Sequence, residues 1–124
     1  MSYIISPPEE TALQAHLHKL RTQLHEDPEL SWQEHRTTRL VRRELEALCL
    51  EPVPLGLPTG TAALLRGALP GPTVGLRADL DALPITERTG AEFSSRVPGV
   101  MHACGHDIHM AALLGAARLL AARR

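Results

Sequence analysis

Leucines set the first rhythm of the chain. Leu13, Leu17, Leu20 and Leu24 recur at spacings of four, three and four, which lines them along one stripe of an amphipathic helix. Ser6-Pro7-Pro8-Glu9 precedes the stripe with a capping residue, prolines suited to a first turn and an acid in the capping-box position. Glu26-Asp27-Pro28 ends it. His16, His18 and His25 lie off the stripe and are expected at the solvent or the rim, since no acid or cysteine clusters with them along the sequence. A second helix is expected from the capping box Ser31-Trp32-Gln33-Glu34 to about Cys49. Val41, Leu45 and Leu48 share its inner face with Leu40 beside them, while Arg36, Arg39, Arg42 and Arg43 form a solvated outer face. Cys49 is expected as a small buried apolar residue.

The rhythm then changes. Residues 50–58 alternate Pro52, Pro54 and Pro58 with Val53, Leu55 and Leu57, an extended segment that its prolines confine to an edge or a connector. Residues 61–66 and 73–78 read as two strands around the turn at Gly67–Pro72, and a hairpin between them is expected. Residues 80–105 show no period. That length is suspicious for a structureless connection, so the segment is functional or hides short elements. Residues 108–122 form an apolar helix carrying Met110, Leu113, Leu114, Leu119 and Leu120, expected to be buried on most sides. Two leading helices, a strand hairpin, a long loop and a buried helix make an α/β chain.

Composition narrows the function. The 124 residues suit one small domain or part of a larger one, and the apolar helix needs more cover than two helices and two strands supply. The first part of a larger α/β domain is therefore expected. A net charge of −1 and only Tyr3, Trp32 and Phe93 as aromatics argue against nucleic acid. The first ten residues lack the features of a secretory leader, and no apolar stretch suits a membrane span. With Cys49 and Cys104 far apart in character, a reduced, cytoplasmic setting fits best.

Residues 101–110, Met-His-Ala-Cys-Gly-His-Asp-Ile-His-Met, concentrate the chemistry. Thiolate and imidazole suit zinc and related divalent metals. Gly105 between Cys104 and His106 allows a sharp turn that would converge both side chains. His102 and His109 are candidate ligands or supporting groups. Asp79 and Asp81 follow the expected strand 73–78, where open α/β sheets place their sites. They either orient a metal-bound histidine or merely end the strand. From the residues alone three readings stay open: metal-dependent hydrolysis, a Cys104/His106 thiol nucleophile lowered in pKa by the helix start, and a structural metal site or none.

A resemblance adds to this reading. Leu76-Arg77-Ala78-Asp79-Leu80-Asp81-Ala82-Leu83-Pro84-Ile85, Gly99-Val100-Met101-His102-Ala103-Cys104-Gly105-His106-Asp107 and Leu113-Leu114-Gly115-Ala116-Ala117 resemble the zinc-peptidase-like amidohydrolases, the group of hippurate hydrolase, N-acyl-amino-acid amidohydrolases and auxin-conjugate hydrolases. Pro28-Glu29-Leu30-Ser31, Glu34 and Thr59-Gly60-Thr61 fit the same family. The resemblance implies an α/β sandwich catalytic domain with an inserted lid domain, often used for dimerisation, and two divalent ions, zinc, manganese or related. It implies Cys104 and His106 as metal ligands and Asp79 as the aspartate that orients the site. Arg77 stands where relatives with a His-x-Asp motif have a histidine ligand. The implied activity is hydrolysis of N-acyl amino acids or small peptides, a metal-activated water attacking the amide. Residues 1–124 match the first part of that catalytic domain, and the family's general-base glutamate, its remaining ligands and its lid belong to later segments. The chain alone is then expected to be inactive, and a non-enzymatic truncated product is the competing expectation.

Overall fold

Capping chemistry fixes where the first helix begins. In the computed structural model, which describes residues 5–124, helix α1 spans Pro7–Glu26. Glu9 accepts hydrogen bonds from the Ser6 backbone N–H at 2.9 Å and the Ser6 hydroxyl at 2.6 Å. The leucine stripe faces inward: Leu20 and Leu24 are buried and Leu17 packs against them. The expectation that the chain starts without a secretory leader falls partly on residues 1–4, outside the described residues.

Helix α2 spans His35–Ala47 and begins later than the Ser31 capping box predicts. Trp32 takes a left-handed conformation, φ 65°, which a helix cannot contain. The cap comes from Glu29 instead. Its buried carboxylate accepts from the backbone N–H groups of Arg36 at 3.1 Å and Thr37 at 2.7 Å, and from the Thr37 hydroxyl at 2.9 Å. A carboxylate there satisfies free N–H groups and meets the positive end of the helix dipole. Leu40, Val41 and Leu45 are buried, and Arg36, Arg39, Arg42 and Arg43 are exposed, as their spacing implies. Cys49 is not buried. It lies past the helix end at φ 54°, exposed as a free thiol.

The expected hairpin of residues 61–66 with 73–78 is absent. Strand β2, Ala62–Leu64, pairs antiparallel with β1, Glu51–Val53, in the register Glu51↔Leu64. The segment after α2 reaches β2 first, and Pro70, Pro72, Gly71 and Gly75 weaken the later segment as a strand. Val74 and Leu76 are left exposed. Residues 80–105 hide short elements, as their length implied. Leu30 bridges Ala82 in parallel and Leu83 bridges Met101 antiparallel.

Helix α3 spans His106–Ala121 and starts two residues earlier than the apolar run suggests. It is buried on one side only. Met110, Ala111, Leu114 and Ala117 face α1 and α2, while Ile108 and Leu120 are exposed. Gly115 allows a close approach: a Cβ there would come within 2.8 Å of Leu17. Leu20, Leu24, Leu40, Val41, Leu45, Leu50, Met110, Leu114 and Ala117 form one core joining the three helices. Each such buried side chain contributes up to about 1.5–3 kcal/mol. Among the described residues no helix is long and apolar enough to cross a membrane.

Candidate metal centre

The core presents the first turn of α3 at the surface. Gly105 caps it in the left-handed region, φ 78°, a conformation that glycine adopts without cost. The Gly105 carbonyl accepts from the N–H groups of Ile108 and His109, each at 3.1 Å. This turn aims His106 and Asp107 in different directions.

His106 points to the segment after residue 78. Its Nδ1 lies 2.8 Å from the Asp81 main-chain oxygen and 3.1 Å from Asp81 Oδ1. A carbonyl only accepts, so Nδ1 is the donor, and in that tautomer Nε2 is the nitrogen with a lone pair to offer. Nε2 lies 4.0 Å from Asp79 Oδ2, too long for a hydrogen bond. Asp79 is half-exposed and pairs with the exposed guanidinium of Arg77. Cys104 is an exposed free thiol two residues ahead of His106. Thiolate and imidazole are the donor types that suit zinc-type ions, and the Nδ1 of His106 is held by protein oxygens as in a metal-ligating histidine. Among the described residues no group of three or more His, Cys, Asp or Glu side chains is arranged to hold an ion.

The other histidines of the segment divide. His109 is exposed, its ring centroid 6.0 Å from that of His106. His102 is buried, and neither ring nitrogen has a partner among the described residues. Burial pushes its pKa below the ordinary histidine value, so the ring is neutral. It packs beside His25, with centroids 6.4 Å apart.

His25 corrects the expectation from the helix stripe. It is buried, with Nδ1 2.8 Å from Asp107 Oδ2 and Nε2 3.1 Å from Glu87 Oε1. Its partners lie 82 and 62 residues away in sequence, so no local spacing reveals them. Arg21 Nε also donates to Asp107 Oδ2 at 2.9 Å, and its guanidinium lies 4.3 Å above the Phe93 ring. Burial raises the Asp107 carboxyl, while donation from His25, from the Ile108 N–H and from Arg21 lowers it, and the net direction is down. Burial likewise raises Glu87. Donation from the Ser95 N–H, the Thr89 hydroxyl and His25 overcomes that and brings it to about 2. Sequence reading missed His25, Glu87 and Asp107 as a group. Asp107 beside His106 was their single local sign. His16, the other off-stripe histidine with an acid partner, lies 2.8 Å from Glu44.

Known proteins are similar to this chain in sequence and in fold. Residues 75–124, which carry Asp79, Cys104 and His106, match the model of Peptidase family M20/M25/M40. Thermostable carboxypeptidase 1 of Saccharolobus solfataricus is 53% identical over 103 residues, covering 82% of this chain and 26% of that protein. N-acetylcysteine deacetylase of Bacillus subtilis is 48% identical over 114 residues, covering 91% of this chain and 30% of that protein. A crystal structure described as a dinuclear metal-binding peptidase of the M20 family, from Bacillus subtilis, superposes with a TM-score of 0.89 at 48% identity, covering 92% of this chain and 32% of that one. The chain thus spans about a quarter to a third of the length of these relatives. Residues 75–124 match peptidase family M20/M25/M40, and the fold that carries the candidate site is similar to that of an M20-family peptidase.

Proposed function

We propose that this chain supplies the Cys104/His106 half of a divalent-metal centre in an enzyme that hydrolyses the amide bond of N-acyl amino acids or small peptides. The observation that carries the reading is His106. Its Nδ1 is held by Asp81, and its Nε2 is free beside Asp79 at the start of α3. Cys104 and His106 would hold metal, and the Asp79 carboxylate would orient the site. Bound metal lowers the pKa of a coordinated water to about 7, which supplies a nucleophile at neutral pH. The similarity to a dinuclear metal-binding peptidase and to an N-acetylcysteine deacetylase supports two ions and a small acylated substrate; we propose zinc, manganese or related ions, as thiolate and imidazole ligands suit divalent transition metals.

Two candidate protein ligands are fewer than the three or four that such a centre uses. We propose that residues 1–124 form the first part of the catalytic domain, and that the remaining ligands, the general base and a lid used for dimerisation lie elsewhere in the protein. The two free cysteines support a cytoplasmic setting. The test is hydrolysis of a panel of N-acyl amino acids by the full-length protein, with and without a chelator. Turnover that a chelator removes and Zn2+ or Mn2+ restores is expected, with none from the 124 residues alone. Chelator-insensitive turnover would overturn the metal reading. Metal-dependent turnover by the short chain would overturn the division of the site.

A further inference from the structure

The residue after His106 faces inward, and what it meets there fixes the ligand turn. Asp107 is 1% exposed. Its Oδ2 accepts from His25 Nδ1 and from Arg21 Nε, both on α1. The far nitrogen of His25 meets Glu87, and Glu87 Oε2 accepts the Ser95 N–H at 2.6 Å. One imidazole therefore joins α1, the start of α3 and the 87–95 loop. The next residue of α1, Glu26, holds the same loop: its carbonyl accepts from the Arg96 N–H at 2.8 Å and its carboxylate from the Arg96 guanidinium at 2.9 Å. Carboxylates only accept, so both ring nitrogens of His25 donate. His25 bonds to both acids through its two ring nitrogens.

We infer that the Glu87–His25–Asp107 chain, with Arg21 at its rim, positions the Cys104–His106 turn for metal, making His25 and Asp107 positioning residues. This rests on the metal reading above. Asp107 is covalently next to His106 and three residues from Cys104, so a shift of its carboxylate moves both candidate ligands. Loss of a group that orients metal ligands typically weakens metal binding by about 10–100-fold.

His25→Gln tests this in the full-length protein. Glutamine keeps one donor for Asp107 but turns a carbonyl toward Glu87, so the chain is broken at one link. The probe is Co2+, read by titration and by the thiolate-to-cobalt charge-transfer absorbance of Cys104. The folded H25Q protein, checked by circular dichroism, should bind Co2+ about tenfold or more weaker, with a reduced thiolate band. The double variant H25Q/E87Q, in which the amide introduced at position 87 donates to the carbonyl introduced at position 25, should recover most of the loss. Arg21→Met keeps the aliphatic stem on a side chain 26% exposed and removes one donor to Asp107. It serves where H25Q does not fold, with an expected loss of about threefold or more. Wild-type affinity and an unchanged thiolate band in every folded variant would overturn the positioning role. A wild-type protein with no thiolate band, or Cys104→Ser with undiminished Co2+ binding, would overturn the metal reading and this inference with it.

Discussion

Two histidines meet carboxylates on either side of the first turn of α3, and they are built for opposite ends. His25 sits between Asp107 and Glu87 with both ring nitrogens engaged and the whole group buried. His106 sits beside Asp81 and Asp79 with one nitrogen engaged, the other free, and the carboxylates open to solvent. The residue types are the same. A fully bonded imidazole in a dry site fixes backbone, because moving it leaves charged groups unpaired. A half-bonded, partly buried imidazole has a lone pair to give to an ion. On the proposed reading, His25 belongs to the frame and His106 to the site.

The contrast breaks first at His25. His25→Leu leaves two buried carboxylates without their shared donor, and a loss of about 3–5 kcal/mol is expected in urea unfolding. A loss within the range of a surface substitution would mean that the buried chain is not a frame. Gly105→Ala comes next, because a Cβ at φ 78° costs about 1–2 kcal/mol. That strain falls on the cap of the His106 turn, so Co2+ affinity should fall together with the unfolding midpoint.

Acid sharpens the buried side. Glu87 falls from an ordinary 4.5 to about 2 in the folded chain. Its contribution is therefore fully present above 4.5 and is lost as pH falls toward 2. The drop of stability across that window should be shallower in Glu87→Gln than in the unchanged chain, measured by urea midpoints at stepped pH. Equal slopes would show that Glu87 is not tied as described. The smallest effect is expected at Asp81→Ala. The main-chain oxygen of residue 81 still holds His106 Nδ1 at 2.8 Å, so Co2+ affinity should change less than about threefold, well short of the loss expected for breaking a ligand's main tether. A tenfold loss would move the tether from the main chain to the carboxylate.

The same contrast explains what the sequence made legible. Helix α1 follows from its leucine stripe and local cap, and its inner face agrees with the periodicity, whereas α3 follows from an apolar run that does not reveal which single side is buried. The Cys104–His106 cluster is legible because its members are neighbours in sequence. The buried chain is not, since His25, Glu87 and Asp107 come from three distant segments and each looks like an ordinary polar residue in its own. Caps supplied from a distance fail in the same way. Glu29, and not Ser31, closes the start of α2, a contact made across a turn in which Trp32 takes a left-handed conformation. The strand pairing of β1 with β2 depended on which extended segment lies nearest after α2, and the proline-rich 50–58 segment hid a partner behind its edge character.

The central claim is that Cys104 and His106 hold metal, against the reading of Cys104 as a thiol nucleophile. Metal content and Co2+ absorbance of the full-length protein, compared with Cys104→Ser, test it most directly. Bound metal and a thiolate-to-cobalt band are expected in the unchanged protein, with the band gone and metal strongly reduced in the variant. Metal content unchanged by Cys104→Ser would contradict it.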